Sequence, residues 1–491
     1  MKSAKFVLFG SAALLAVSTG ARAADLPLRK AAPVDYVRVC DWTGAGFFYI
    51  PGTDTCLQIS GYLRAEYAFV SNGRALVPGN PLTGSPTSAQ QGTKNPNFTP
   101  FGNIIYGKNR DQSGFFTQGR IAVDARTQTA YGTVRTYVRY EMEHDTGAYG
   151  GSDPGGRLAA PGLGFYGTSY LDKGFIQFAG ITAGRVQSFF DFNADVYNYE
   201  GYANSDNSSQ VIAYTYNFAG GVSSTFSIED PNERRYGIGN FYNASTAVPG
   251  TAAYSGAQIP DLVGVLRIDQ AWGAAQLSGA FHQLNTASTA LLGDGSGQNV
   301  LGRTDDGFAV RAGVNLKLPM LAAGDELWLE AGYERGALAY VDTDGGLNGG
   351  FYNSVTVGGF QHLDRDAYAI YNPTTNTYGL AKSTGFSASF ALNHYFTPNF
   401  HDVVFGSYEH LGYGKGANSV SWTQGGIGGG DGYRIGNQFL WDPAKNLEVG
   451  LEVMYMKVDQ SIPGLVANPL PVGIAKNPDA IETRLRIERD F

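Results

Sequence analysis

Residues 481–491 read IETRLRIERDF. Ile481, Thr483, Leu485, Ile487 and Phe491 share one parity; Glu482, Arg484, Arg486, Glu488 and Asp490 share the other, and Arg489 is the one break. Side chains alternate faces along a strand, so this is a β-strand with one apolar and one densely charged face. A soluble sandwich would bury the first and expose a mildly polar second. Here the charged face demands water of its own, and the rest of the chain decides which solvent each face meets.

Glycine (67), tyrosine (30) and phenylalanine (29) are abundant among the 491 residues, which suggests many turns and many strands. The start, MKSAKFVLFGSAALLAVSTGARA, has a basic beginning at Lys2 and Lys5. An apolar core follows over Phe6 to Val17, and an A-x-A site at Ala21 to Ala23. These are the parts of a secretory signal, so residues 1–23 are expected to be removed. Loss of Lys2, Lys5 and Arg22 takes the formal charge from −8 to −11. Beyond residue 23 no apolar run approaches the roughly 20 residues of a spanning helix. An exported chain of this kind is either soluble or a closed membrane barrel, the other structure that satisfies its backbone in lipid.

Alternating runs bounded by turn residues recur along the chain. They fall at 57–70, 115–128, 132–144, 173–180, 183–190, 211–218, 221–229, 261–270, 273–284, 305–317, 325–336, 384–396, 402–411, 431–440, 447–457 and 479–491. That is sixteen strands, an even number of the length bacterial transmembrane barrels use. Short and long connections alternate throughout, as periplasmic turns alternate with external loops in such barrels. The reading is a 16-stranded antiparallel transmembrane β-barrel over 57–491, preceded by a periplasmic segment, 24–56. In that segment Cys40 and Cys56 are the only cysteines. An oxidising compartment favours a disulfide between them, with two free thiols or, more remotely, a metal site as alternatives.

Several strands carry charge at mid-height on the parity opposite the apolar residues. Arg64, Arg120, Arg139, Arg484 and Arg486 lie within about two residues of their strand midpoints, a few ångströms from half height at about 3.3 Å per residue. Because the first and last strands must meet to close a barrel, these five are expected on one basic wall, with Arg126 and Arg135 lower on it. The connection after 183–190, DFNADVYNYEGYANSDNSSQ, offers Asp191, Asp195, Glu200 and Asp206 and no lysine or arginine. An acidic loop facing a basic wall would set a transverse field across a pore.

The stretches AADLPLRKAAPVDYVRVC (23–40), GAGFFYIPGTDTCLQISGYLRAEY (44–67), GRVQSFFDF (184–192) and the terminal Phe491 resemble the general porins of alphaproteobacteria. The resemblance implies a homotrimer in the bacterial outer membrane that passes small hydrophilic solutes and ions by passive diffusion. It also implies a third external loop folded inward, here about 191–210, and Phe491 as an assembly signal. A solute-specific channel, an outer-membrane barrel enzyme and a secreted lectin-like sheet protein are the competing readings. No metal-ligand spacing among the six histidines, no G-x-S-x-G elbow and no nucleotide-binding glycine pattern supports an enzyme or a cofactor. The acidic charge makes nucleic acid an unexpected partner.

Overall fold

The computed structural model describes residues 38–72, 113–146, 165–193, 197–199, 201–240, 254–286, 304–341, 365–372, 377–414, 429–461, 477 and 479–491. The expected signal, 1–23, lies outside the described residues, as do Asp195 and Glu200.

Among these residues sixteen strands form a closed antiparallel barrel. They are β1 (Thr55–Asn72), β2 (Ser113–Thr129), β3 (Gly132–Thr146), β4 (Phe165–Phe178), β5 (Ile181–Gln187), β6 (Ser208–Asn217), β7 (Val222–Glu229), β8 (Asp261–Gln270), β9 (Gly273–Asn285), β10 (Thr304–Lys317), β11 (Glu326–Arg335), β12 (Thr377–Thr397), β13 (Phe400–Tyr413), β14 (Gly430–Ala444), β15 (Leu447–Gln460) and β16 (Asp479–Asp490). Each pairs with its sequence neighbour. The ring closes where β16 meets β1, from Ala480↔Asn72 to Asp490↔Tyr62. Phe491 continues this seam, exchanging backbone hydrogen bonds with Gly61 at 3.0 and 3.2 Å.

The parity read from residues 481–491 holds. Leu485 and Ile487 are 45% and 47% exposed on the outer surface, whereas Arg484 and Arg486 are 4% and 8% exposed within. Leu63, Ile121 and Val138 continue the apolar outer face on β1, β2 and β3. Two aromatic belts bound that surface. Tyr67 with Phe115, Phe308 with Tyr333, and Phe386 with Tyr408 and Tyr433 pack side by side near the long-loop end. Phe396 with Phe400, Tyr216 with Phe218, and the exposed Trp272, Trp441 and Phe491 lie near the short-turn end. Amphipathic aromatic rings favour the two membrane–water boundaries, and an apolar band between such girdles is what a lipid-spanning barrel presents.

Sequence and structure differ at the hairpin expected over 173–180 and 183–190. The turn sits two residues earlier, at Ala179 and Gly180, both with positive φ (51° and 86°), the backbone of a type I′ hairpin turn. The second strand then ends at Gln187, because Ser188 to Phe192 leave the wall and enter the lumen.

The external side is also more structured than its polar composition suggests. β12 extends above the wall, where Ala367–Asn372 pairs with it antiparallel, and Ile238–Asn240 adds in parallel. Residues 336–341 turn inward as a second strap. Tyr368, Leu338 and Val341 cover inward-facing Val70, Leu411, Met454, Met456 and Val458. The upper lumen on this side is therefore an apolar core. At the short-turn end the disulfide Cys40–Cys56 closes a small hairpin whose Phe48–Tyr49 pairs with β1. Phe47 of that hairpin sits beneath the Arg126 guanidinium, 4.6 Å away. The segment thus lies against lumen-facing side chains.

Candidate pore constriction

The inward loop, residues 188–207, begins at the top of β5 and is fixed at its root by the β7 carboxylate Glu229. That carboxylate accepts from Ser188 Oγ (2.7 Å) and Phe189 N (3.2 Å). Gln276 Nε2 of β9 reaches the carbonyls of Phe189, Phe190 and Asp191 at 3.1–3.3 Å. The loop then crosses to the opposite wall. Asn193 N donates to Glu330 (2.5 Å), and the Tyr197 hydroxyl to Glu326. Ala203 N donates to Ser407 Oγ (3.0 Å), and Arg434 to the Gly201 carbonyl.

The far anchor is Tyr199. Its N–H donates to Glu452 (2.7 Å) and its hydroxyl to Glu448 (3.0 Å). Arg484 donates to its carbonyl (2.9 Å), and the Arg486 guanidinium covers its ring. A Cβ built at Gly450 on β15 would overlap the Tyr199 hydroxyl, so a larger residue there has to displace the Tyr199 ring. Buried peptide groups require partners, and here wall side chains supply them.

The seven expected arginines all project inward, but they separate into three groups. Arg484 and Arg486 lie under the loop and touch it directly rather than facing it across open water. They also pair with Glu482 (2.5 Å) and Glu66 (2.6 Å). Arg64, Arg120 and Arg139 remain partly in water, their side chains 21%, 26% and 18% exposed. Each has a carboxylate: Glu488 for Arg64 (2.5 Å), Glu141 for Arg120 (2.5 Å), and Asp172 for Arg139. Arg64 and Arg120 also flank the Tyr62 ring at 4.7 and 4.4 Å. Arg126 and Arg135, lower down, share Asp124 at 2.8 and 2.9 Å. The wall is thus a lattice of alternating charge, not a bare basic surface.

On the loop, the Asp191 carboxylate is committed to buried Arg234 (2.8 Å), Ser205 (2.5 Å) and Asn207 N (2.8 Å). Asp206 accepts from Gln187 (2.7 Å). The Asp191 pairing could not be read from strand parity, because Arg234 comes from the next external connection. Lys173 and Arg185 on β4 and β5 extend the row of cations beside Arg139. Lys173 bonds Gln187 at 3.1 Å, and Arg185 pairs with Glu233. A β-bulge between Arg139 and Tyr140 in the β3–β4 ladder leaves Asp172 as the extra residue, which re-aims its carboxylate at Arg139.

A closed barrel with an apolar belt outside, ion-paired side chains within and one loop drawn across the lumen is the architecture of the channel-type proteins of bacterial outer membranes. This chain belongs to the family described as the Porin subfamily, whose model matches residues 25–482, and its place is the outer membrane. It is 27% identical over 283 residues to porin Omp2b of Brucella suis, covering 55% of this chain and 64% of that protein. The Brucella abortus (strain 2308) porin Omp2b is 27% identical over 278 residues, covering 55% and 63%. The chain thus spans slightly less than two thirds of the length of these relatives. Among solved structures, the outer membrane channel DcaP of Acinetobacter baumannii shares the fold. Its TM-score is 0.54 at 12% identity, over 90% of this chain and 99% of that one.

Proposed function

We propose that the protein is a general diffusion porin: a water-filled channel that passes small hydrophilic solutes and ions down their gradients, working as a homotrimer after export directed by residues 1–23. The observation that carries this reading is the loop 188–207, held across the lumen by hydrogen bonds to β11 and β13–β16 while Arg64, Arg120 and Arg139 stay partly exposed on the wall between its root at β5 and its far anchor at β16. A loop so fixed narrows a passage without closing it, and a hydrated ion-paired lining lets polar solutes cross without shedding water.

In this reading Arg64, Arg120 and Arg139 border the aperture. Arg484 and Arg486 act through the loop they hold, and Arg126 and Arg135 act at the periplasmic vestibule. Asp206, with Asp195 and Glu200, supplies loop-side charge, while Asp191 serves the loop's internal structure. The overall negative charge favours cations weakly, since clefts of one sign concentrate counter-ions. Phe491, paired into the closing seam with its ring outward, fits a role in barrel assembly.

Purified protein in a planar bilayer tests the channel. Discrete ohmic conductance steps, with a reversal potential in a KCl gradient displaced modestly toward cations, are the expected result. Absence of current would refute it, and clear anion preference would refute the selectivity.

A further inference from the structure

Beneath the root of the inward loop, at the short-turn end of β2–β6, lies a cavity of about 530 Å³. That volume is within the range of small-molecule sites. It is lined by Trp42 from the disulfide-closed segment, Phe189 from the loop root, and Arg126, Arg135, Gln177 and Thr182 from the inner wall. Three separate parts of the chain thus converge on it.

The two arginines share one carboxylate, Asp124. Arg126 donates to it through Nε (3.1 Å) and Nη2 (2.8 Å), and Arg135 through Nε (3.1 Å) and Nη2 (2.9 Å). One Nη1 donor of Arg135 goes to Gln177 (3.0 Å), and one of Arg126 to the Thr43 carbonyl (3.5 Å). A guanidinium carries five N–H donors in a planar fork. Among the described contacts, each arginine therefore keeps one N–H on each terminal nitrogen, and the pair with Asp124 carries one net positive charge. Both side chains line the cavity and keep more than a quarter of their surface exposed.

The surroundings are aromatic. Arg135 lies 5.3 Å from the Tyr137 and Phe175 ring centres, and those rings stack on each other at 5.2 Å. Arg126 covers Phe47. Trp42 packs on the buried cluster of Cys40, Phe47 and Cys56, so the disulfide segment holds an indole at the cavity wall.

We infer that this vestibular cavity is a binding subsite for small monocarboxylates bearing a flat ring, the carboxylate on the Arg126–Arg135 pair and the ring among Trp42 and Phe189. A fork of unused N–H donors matches a carboxylate. A bare inorganic anion would leave the aromatic walls without a partner, and a neutral ring would leave the charge without one. The subsite deepens the channel reading and rests on it for its biological sense: a solute leaving the constriction would pause here before release.

The test is calorimetric titration of the intact, detergent-purified, disulfide-bonded protein with three probes: benzoate, benzamide and acetate. Benzoate is expected to saturate one site per chain, at least tenfold more tightly than either benzamide, which lacks the charge, or acetate, which lacks the ring. Equal affinity for benzoate and either of the others overturns the inference, as does failure of benzoate to saturate. Arg135→Gln is expected to reduce benzoate affinity to the benzamide level, and Trp42→Ala to the acetate level. Unchanged affinity in a folded variant counts against the subsite. The wild-type comparison decides the matter if a variant does not fold. Because titration needs no current, the two readings fail separately: a conducting barrel that ignores benzoate loses the subsite, and a benzoate-binding barrel without conductance loses the channel.

Discussion

The Arg486 guanidinium lies 3.6 Å from the centre of the Tyr199 ring, clamping the tip of the inward loop onto the last strand of the barrel. The neighbouring Arg484 grips the same residue by its backbone carbonyl. The closing seam of the barrel and the narrowing of its lumen therefore depend on adjacent side chains of one strand.

Loosening this clasp should widen the passage. Gly450→Ala places a methyl where the Tyr199 hydroxyl sits, and Tyr199→Ala removes both the cation–π contact, about 0.5–2 kcal/mol, and the bond to Glu448. Either variant should raise single-channel conductance and open-channel noise while the barrel stays folded. Conductance and noise equal to wild type would show that the loop tip does not limit flow.

Replacing Arg120 and Arg139 together by alanine leaves Glu141 and Asp172 without their cations. The permeability ratio of potassium to chloride should rise severalfold, read from the reversal potential in a salt gradient. An unchanged ratio would remove both residues from the aperture.

Arg234 and Asp191 form an ion pair with side chains 0% and 1% exposed. Arg234→Met strands a buried carboxylate, an effect worth roughly 3–5 kcal/mol. The Arg234 contacts to Ser205 and the Ala339 carbonyl tie the inward loop to the second strap. Proteolysis within 188–207 should therefore accelerate before the barrel itself unfolds. Simultaneous loss of loop and barrel, or no change, would contradict a local role. The double variant Arg234→Met with Asp191→Leu should recover most of the loss.

The barrel was legible because lipid outside and water inside impose a period of two that β1, β2, β3 and β16 follow over most of their length. That logic weakens where the inside is not water. Val70, Met454, Met456 and Val458 face inward yet are apolar, because Leu338, Val341 and Tyr368 fold down on them. Phe189 and Phe190 read as the end of a strand, but Ser188 and Glu229 turn them into the lumen. The arginines carry the charged parity of their strands, but that parity says nothing of the contacts made from loops: Arg234 for Asp191 and Tyr199 for Arg484 and Arg486 lie in loops whose paths follow no repeat. The vestibular cavity was hidden for the same reason: Trp42 and Phe189 meet Arg135 only through tertiary folding.

The most direct test of passive diffusion is the swelling rate of proteoliposomes in arabinose, glucose, sucrose and raffinose. The account predicts rates that fall smoothly with solute mass and rise linearly with concentration. No swelling in any sugar, or rapid saturable entry of one sugar regardless of its size, would contradict it.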